Sequence, residues 1–88
     1  MQIVNFMEEA VRRVLEEMQN EGTAGADTLT EMARMDVLAY ALNRLPAKYV
    51  VTQKGHLYTR VNELQQQFRT DILVELTKAI AFVKAHPR

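Results

Sequence analysis

The sequence of 88 residues contains no cysteine, no tryptophan and no serine. Without cysteine there are no disulfides, thiolate metal sites, iron–sulfur clusters or cysteine nucleophiles. Without serine there is no Ser–His–Asp arrangement. The three glycines make neither a GxGxxG nor a Walker spacing, so the stretch 20–27 (NEGTAGAD) reads as a linker and not as a phosphate cradle. No apolar run nears the ~20 residues of a bilayer span. The opening Met-Gln-Ile-Val-Asn-Phe has no positive region before an apolar core and soon meets Glu8 and Glu9, so no signal peptide is expected. Net charge is missing too, because eleven acids balance eleven bases. That balance removes bulk attraction to DNA or to a membrane surface. The 48% hydrophobic and 25% charged residues fit a folded protein. A single cytoplasmic domain spanning residues 1–88, with no metal and no cofactor, is the expectation.

The charge that is present is unevenly distributed. Residues 1–31 hold seven acids and two bases, a local net of −5. Residues 32–60 hold one acid, Asp36, and five bases, Arg34, Arg44, Lys48, Lys54 and Arg60, a local net of +4. From 37 to 62 there is no carboxylate at all. An excess of bases is commonly a solvated face. Its clustering around an expected turn also suits an anion site.

Periodicity predicts helix, loop, helix, a short extended connection and a long helix. Asn5 is a natural N-cap with Glu8 three residues on. Met7, Val11, Val14, Leu15 and Met18 then form one apolar stripe, and Gly22 suits the residue just past the helix end. A capping box at Thr28 and Glu31, or a cap at Asp27, announces the second helix. Its apolar side is traced by Leu29, Met32, Met35 or Asp36, Ala39, Leu42 and Leu45, and Pro46 stops it. Tyr40 reads as core or interface, and the five methionines as core filler. After Pro46, Tyr49 to Thr52 are β-branched or aromatic and Lys54-Gly55 is turn chemistry. A hairpin and an extended loop with a turn both fit. From Thr59 to about Ala85 a stripe of Val61, Leu64, Phe68, Ile72, Leu76, Ala79 or Ile80, and Val83 predicts one long helix. At ~1.5 Å per residue it reaches roughly 40 Å, against roughly 30 Å for a sphere of this chain. A second copy is therefore expected to cover Val61, Leu64, Phe68, Ile72 and Leu76. The fold class expected is mainly α: three principal helices, with a short extended or hairpin connection before the long C-terminal one, as a homodimer.

Residues 36–52 (DVLAYALNRLPAKYVVT), followed by the Lys54-Gly55 turn, resemble the signature of the late competence ComFB family. The acidic amphipathic helix before this run and the Gln-rich helix after it match in kind. The resemblance implies a small, mainly helical homodimer without catalytic activity. It also implies reception of cyclic dinucleotides, chiefly cyclic di-GMP and in some lineages cyclic di-AMP. Zinc-binding members carry several cysteines, and this chain has none, so that property does not carry over.

Such a ligand offers two phosphates and two purines, which call for basic side chains, flat or guanidinium surfaces, and groups that bond base edges. Arg44, Lys48, Lys54 and Arg60 are candidates for the charge, and Tyr49, Tyr58 and His56 for stacking. Asp36, Asn43 and Thr52 are candidates for hydrogen bonds, with Gly55 as a pivot in the connection. Each has a plain alternative: Asp36 as an exposed or locally paired carboxylate, Tyr49 as a half-buried packing residue, His56 as a lone turn histidine. His86 simply suits a helix C-terminus. Glu8/Glu9 and Glu16/Glu17 lie on an exposed helix face, so no catalytic residue is expected. Three function classes stand: a cyclic dinucleotide receptor that alters a downstream protein, a protein–protein adapter without ligand, and, weakest, a nucleic-acid-binding dimer. The acidic first helix is the expected contact for a basic partner protein.

Overall fold

An asparagine side chain starts the helical part of the chain. Asn5 is extended, and its Oδ1 accepts from the Met7 N–H at 3.1 Å, so the helix begins at Phe6. The computed structural model describes residues 1–52 and 57–87, with the backbone alone at Thr52 and residues 57–59. The order is β1 (Gln2–Asn5), α1 (Phe6–Glu21), a 3₁₀ segment (Thr23–Thr28), α2 (Glu31–Leu42), β2 (Tyr49–Thr52), α3 (Leu57–Gln67) and α4 (Arg69–Ala85). The protein is mainly helical, as its periodicity requires.

The apolar stripe of α1 is the centre of the core: Met7, Val11, Val14, Leu15 and Met18 are all buried. Gly22, at φ 72°, ends α1 by donating its N–H to the Met18 carbonyl. α3 packs on α1, and α4 packs on α2 with a smaller contact to α1. Lys84 of α4 ties down the 3₁₀ segment, its Nζ donating to the Gly25 carbonyl (2.8 Å) and to Thr28 Oγ1 (2.7 Å).

Several sequence expectations change. Residues 2–5 carried no strand signal of their own, yet they pair antiparallel with 49–52, Ile3 opposite Val51 and Asn5 opposite Tyr49. The extended reading of 49–52 therefore stands without a hairpin, since the partner strand comes from the other end of the chain and Leu57 already starts α3. The Lys54-Gly55 turn and His56 lie outside the described residues. α2 begins after Thr30, whose Oγ1 accepts from the Ala33 N–H at 3.1 Å, because Asp27 and Thr28 are taken up in the 3₁₀ turn. The inward side of α2 is Val37, Leu38 and Ala41, with Leu45 beyond its end. Met32, Met35 and Ala39, predicted to face inward, are exposed. Of the five methionines only Met7 and Met18 fill the core.

The long helix is interrupted at Phe68 (φ −107°, ψ 14°). Its stripe finds its partners within the same chain. Val61, Ile72 and Leu76 are completely buried, and Leu64 and Phe68 are half-buried against the same core. The expectation that a second copy covers these five residues rests on one unbroken helix that would outrun a sphere. The break at Phe68 removes that premise, since α4, the longer part, has 17 residues, about 26 Å at ~1.5 Å per residue. No helix among the described residues is long and apolar enough to cross a membrane.

Candidate functional site

The side of α2 that meets α4 carries Asp36 and Tyr40, both half-buried, and Arg44 follows one turn further on, past the helix end, with Asn43 beside it. Four-residue spacing sets one residue above another on one side of a helix. Asn43 caps the C-terminus, its N–H donating to the Ala39 carbonyl at 3.1 Å. Arg44 follows in the turn that leads to Pro46, and its N–H donates to the Ala41 carbonyl. The Arg44 side chain folds back over the helix. One Nη donates to the Tyr40 carbonyl at 3.1 Å, and the guanidinium carbon sits 3.6 Å from the centre of the Tyr40 ring. An exposed cation–π contact of this kind contributes about 0.5–1 kcal/mol. It also holds the guanidinium flat, with donors left over for a ligand.

The ring row continues onto α4. Tyr40 and Phe82 lie 5.0 Å apart, tilted by 31°, and Phe82 stacks on the His86 imidazole at 4.4 Å. The His86 Nδ1 is 2.9 Å from the Phe82 carbonyl, which fixes the imidazole at the helix end. Phe82 is 47% exposed, so this row is a surface feature and not core. Neither Phe82 nor His86 was singled out as a ligand residue from the sequence. Phe82 falls off the apolar stripe of its helix, a signal for an exposed aromatic. Its pairing with Tyr40, 42 positions away, depends on how α2 meets α4.

The remaining predicted residues are dispersed around this row. Lys48 is half-buried, and its Nζ lies 5.3 Å from the centre of the Phe68 ring. Its backbone is held on both sides: the N–H donates to Asn5 Oδ1 at 2.9 Å, and the carbonyl accepts from the Phe6 N–H at 2.9 Å. Asp36 is half-buried in a cavity of ≈ 250 Å³ between the start of α2 and the end of α4, with Leu29, Ala33, Val83 and Lys84. That cavity is smaller than the usual ligand pocket of about 300–1,000 Å³. Tyr49 is exposed, not half-buried as its plain alternative supposed, and it shares a groove with Asn5, Glu8 and Glu9. Beside those carboxylates it is poorly placed to meet a phosphate. Thr52 pairs through its backbone with Gln2. Arg60 is exposed on α3, where Tyr58 also lies. Lys54 and Gly55 are outside the described residues.

Arg44 stands at the C-terminus of α2, where the last carbonyls favour a cation. The ion pairs among the described residues are Arg12–Glu8, Arg69–Glu17 and Lys78–Glu75, and none of them involves Arg44 or Lys48. No group of three metal-ligating side chains occurs among the described residues. What the arrangement provides is recognition chemistry: guanidinium donors, stacked π faces and an amide at one helix end.

The family model for the late competence development protein ComFB matches residues 4–87. Among solved structures, the late competence protein ComFB from Bacillus subtilis is 26% identical, with a TM-score of 0.77 over 99% of this chain and 93% of that one. No curated protein sequence matches the chain. With a family match over almost its entire length and a solved relative of the same fold, the chain belongs to the ComFB family of late competence development proteins.

Proposed function

We propose that this protein is a non-enzymatic receptor for a cyclic dinucleotide, cyclic di-GMP foremost, that passes the signal to a partner protein. The observation that carries the reading is Arg44, stacked at 3.6 Å on Tyr40 at the exposed end of α2 with no carboxylate partner among the described residues. A guanidinium so held can fork onto a phosphate or onto the O6 and N7 of guanine. Asp36 stands on the same face, eight residues and thus roughly 12 Å along the helix from Arg44. Carboxylate oxygens accept the N1–H and N2–H groups of guanine, whereas adenine presents an acceptor at N1.

In this reading the ligand acts on the chain just after Pro46. The Lys48 backbone is hydrogen-bonded to Asn5 and Phe6, so a change there reaches β1 and the start of α1. A two-fold ligand also suits a two-fold pair of chains. The homodimer belongs to the proposal, but its contacts move from the buried stripe to apolar side chains left exposed on α2 and α4, such as Met35, Val74 and Phe82. Light scattering at micromolar concentration tests that part, and a monomer there removes it.

Calorimetric titration with cyclic di-GMP, cyclic di-AMP and linear pGpG tests the function. The expected order is cyclic di-GMP at micromolar affinity or tighter, then cyclic di-AMP and pGpG more weakly. No heat with any of the three would remove the receptor reading and leave the adapter in its place.

A further inference from the structure

The β1–β2 ribbon has one face on the core and one in solvent. Val4 and Val50 pack against the core. Their neighbours point outward: Ile3 is 72% exposed, Val51 opposite it 65%, and Tyr49 69%. Three large apolar side chains on one small ribbon form a contiguous patch of the kind that marks an interaction surface. The sheet has two strands, so each strand has a single neighbour among the described residues, and the backbone N–H and C=O groups of its other edge lack sheet partners. Proteins usually blunt such edges with a charge, a proline or a bulge. The eight strand residues, QIVN and YVVT, contain no charge and no proline.

The surroundings indicate what this edge accepts. A groove of ≈ 390 Å³ runs along β1, lined by all four of its residues, by Tyr49 and by Glu8 and Glu9. Among the described residues it has two carboxylates and no cation on its walls. Glu8 is bonded to Arg12 at 3.1 Å, while Glu9 has no ion-pair partner among the described residues. Arg13, one turn on from Glu9, reaches instead to Asn62 on α3. The wider segment 1–31 carries a local net of −5.

We infer that β1 is a docking edge for an extended, basic segment of a partner protein, added to the ribbon as a third strand. The segment alternates apolar residues, which lie on Ile3 and Val51, with lysine or arginine, which meets Glu9. Backbone hydrogen bonds to the edge supply affinity, and the alternating side chains supply choice of partner. None of the groove-lining residues belongs to the Arg44–Tyr40 row.

The test is selection of random peptides of about eight residues, displayed on phage, against the immobilised protein. The best sequence is then made as a synthetic peptide and titrated by fluorescence anisotropy. The expected result is enrichment of peptides alternating apolar and basic residues. Affinity should fall roughly tenfold in Glu9→Lys, the scale of one charge-assisted contact, and as far in Val51→Glu. Arg44→Ala should bind the peptide as the unaltered protein does, which separates this surface from the nucleotide site. Peptides without basic residues, equal affinity for Glu9→Lys, or no enrichment would overturn the proposal. So would self-association of the protein that Val51→Glu abolishes, since the edge would then be occupied by a second copy. Circular dichroism of both variants checks that they fold. If either does not, Glu9→Gln and Val51→Thr replace them, with the same direction and a smaller loss.

Discussion

Replacing Asn5 by alanine removes one oxygen that serves two distant parts of the chain. Oδ1 accepts from the Met7 N–H at 3.1 Å, capping α1, and from the Lys48 N–H at 2.9 Å, fixing the residue that precedes β2. Loss of an asparagine N-cap costs about 0.5–2 kcal/mol. The orphaned Lys48 N–H adds about 0.5–1.5 kcal/mol, at the lower end because both residues are half-buried and water can reach the amide. Together these give roughly 2 kcal/mol. For a domain of this size each kcal/mol moves the melting midpoint by about 4–8 °C, so the expected fall is about 8–16 °C. Urea unfolding should show the same loss with an unchanged slope, and the Lys48 amide should exchange faster with solvent. Asn5→Asp keeps the acceptor and places a negative charge at a helix N-terminus, which offsets its repulsion by Glu8 and Glu9. It should stay within about 0.5 kcal/mol of the unaltered protein. A loss below about 0.5 kcal/mol in the alanine variant, or an aspartate variant as unstable as alanine, would refute the double role.

Other expectations follow from single contacts. Gly25 is at φ +77°, and a Cβ there would lie 2.5 Å from Lys84 Nζ. Gly25→Ala should therefore cost about 1–2 kcal/mol by thermal melting, with a smaller further cost in a Lys84→Met background, where the close contact is gone. Leu76→Ala should cost roughly 2–5 kcal/mol. Because Leu76 is buried within one chain, that loss should be the same at low and high protein concentration; a loss that changes with concentration would return this residue to a dimer interface. Phe82→Ala should lose about 0.5–1.5 kcal/mol, the scale of an aromatic pair, and shift the NMR signals of Tyr40 and His86 together.

The helices were legible because their signals are local. The Asn5 cap, the Gly22 stop and the stripe of α1 follow from residues within one or two turns of each other. β1 was not legible, since a four-residue strand whose partner lies more than 40 positions away has no pattern of its own. The inward face of α2 was misread for a related reason. Met32 and Met35 are apolar and correctly spaced, but Val37, Leu38 and Ala41 face α1 and α4, and only the packing decides between two apolar sides. The site was legible in part. Asp36 lies on α2, and Asn43 and Arg44 lie just past its end, so these candidates are neighbours along one helix. Phe82 and His86 reach the same surface from another helix, and Tyr49 turns instead towards Glu8 and Glu9. The length premise of the dimer argument fails because the helix breaks at Phe68, leaving α4, the longer part, with 17 residues or about 26 Å.

Calorimetric titration of cyclic di-GMP into the unaltered protein and into Arg44→Ala tests the central claim most directly. Removing a guanidinium that bonds an anionic ligand should cost roughly 1.5–3 kcal/mol, or about 10- to 150-fold in affinity. The folded state should lose no more than the ~1 kcal/mol of an exposed cation–π contact. Weakened binding by a variant that still melts within a few degrees of the unaltered protein is the predicted result. Equal affinity in the two proteins would show that Arg44 only packs on Tyr40, and that the nucleotide, if it binds, does so elsewhere.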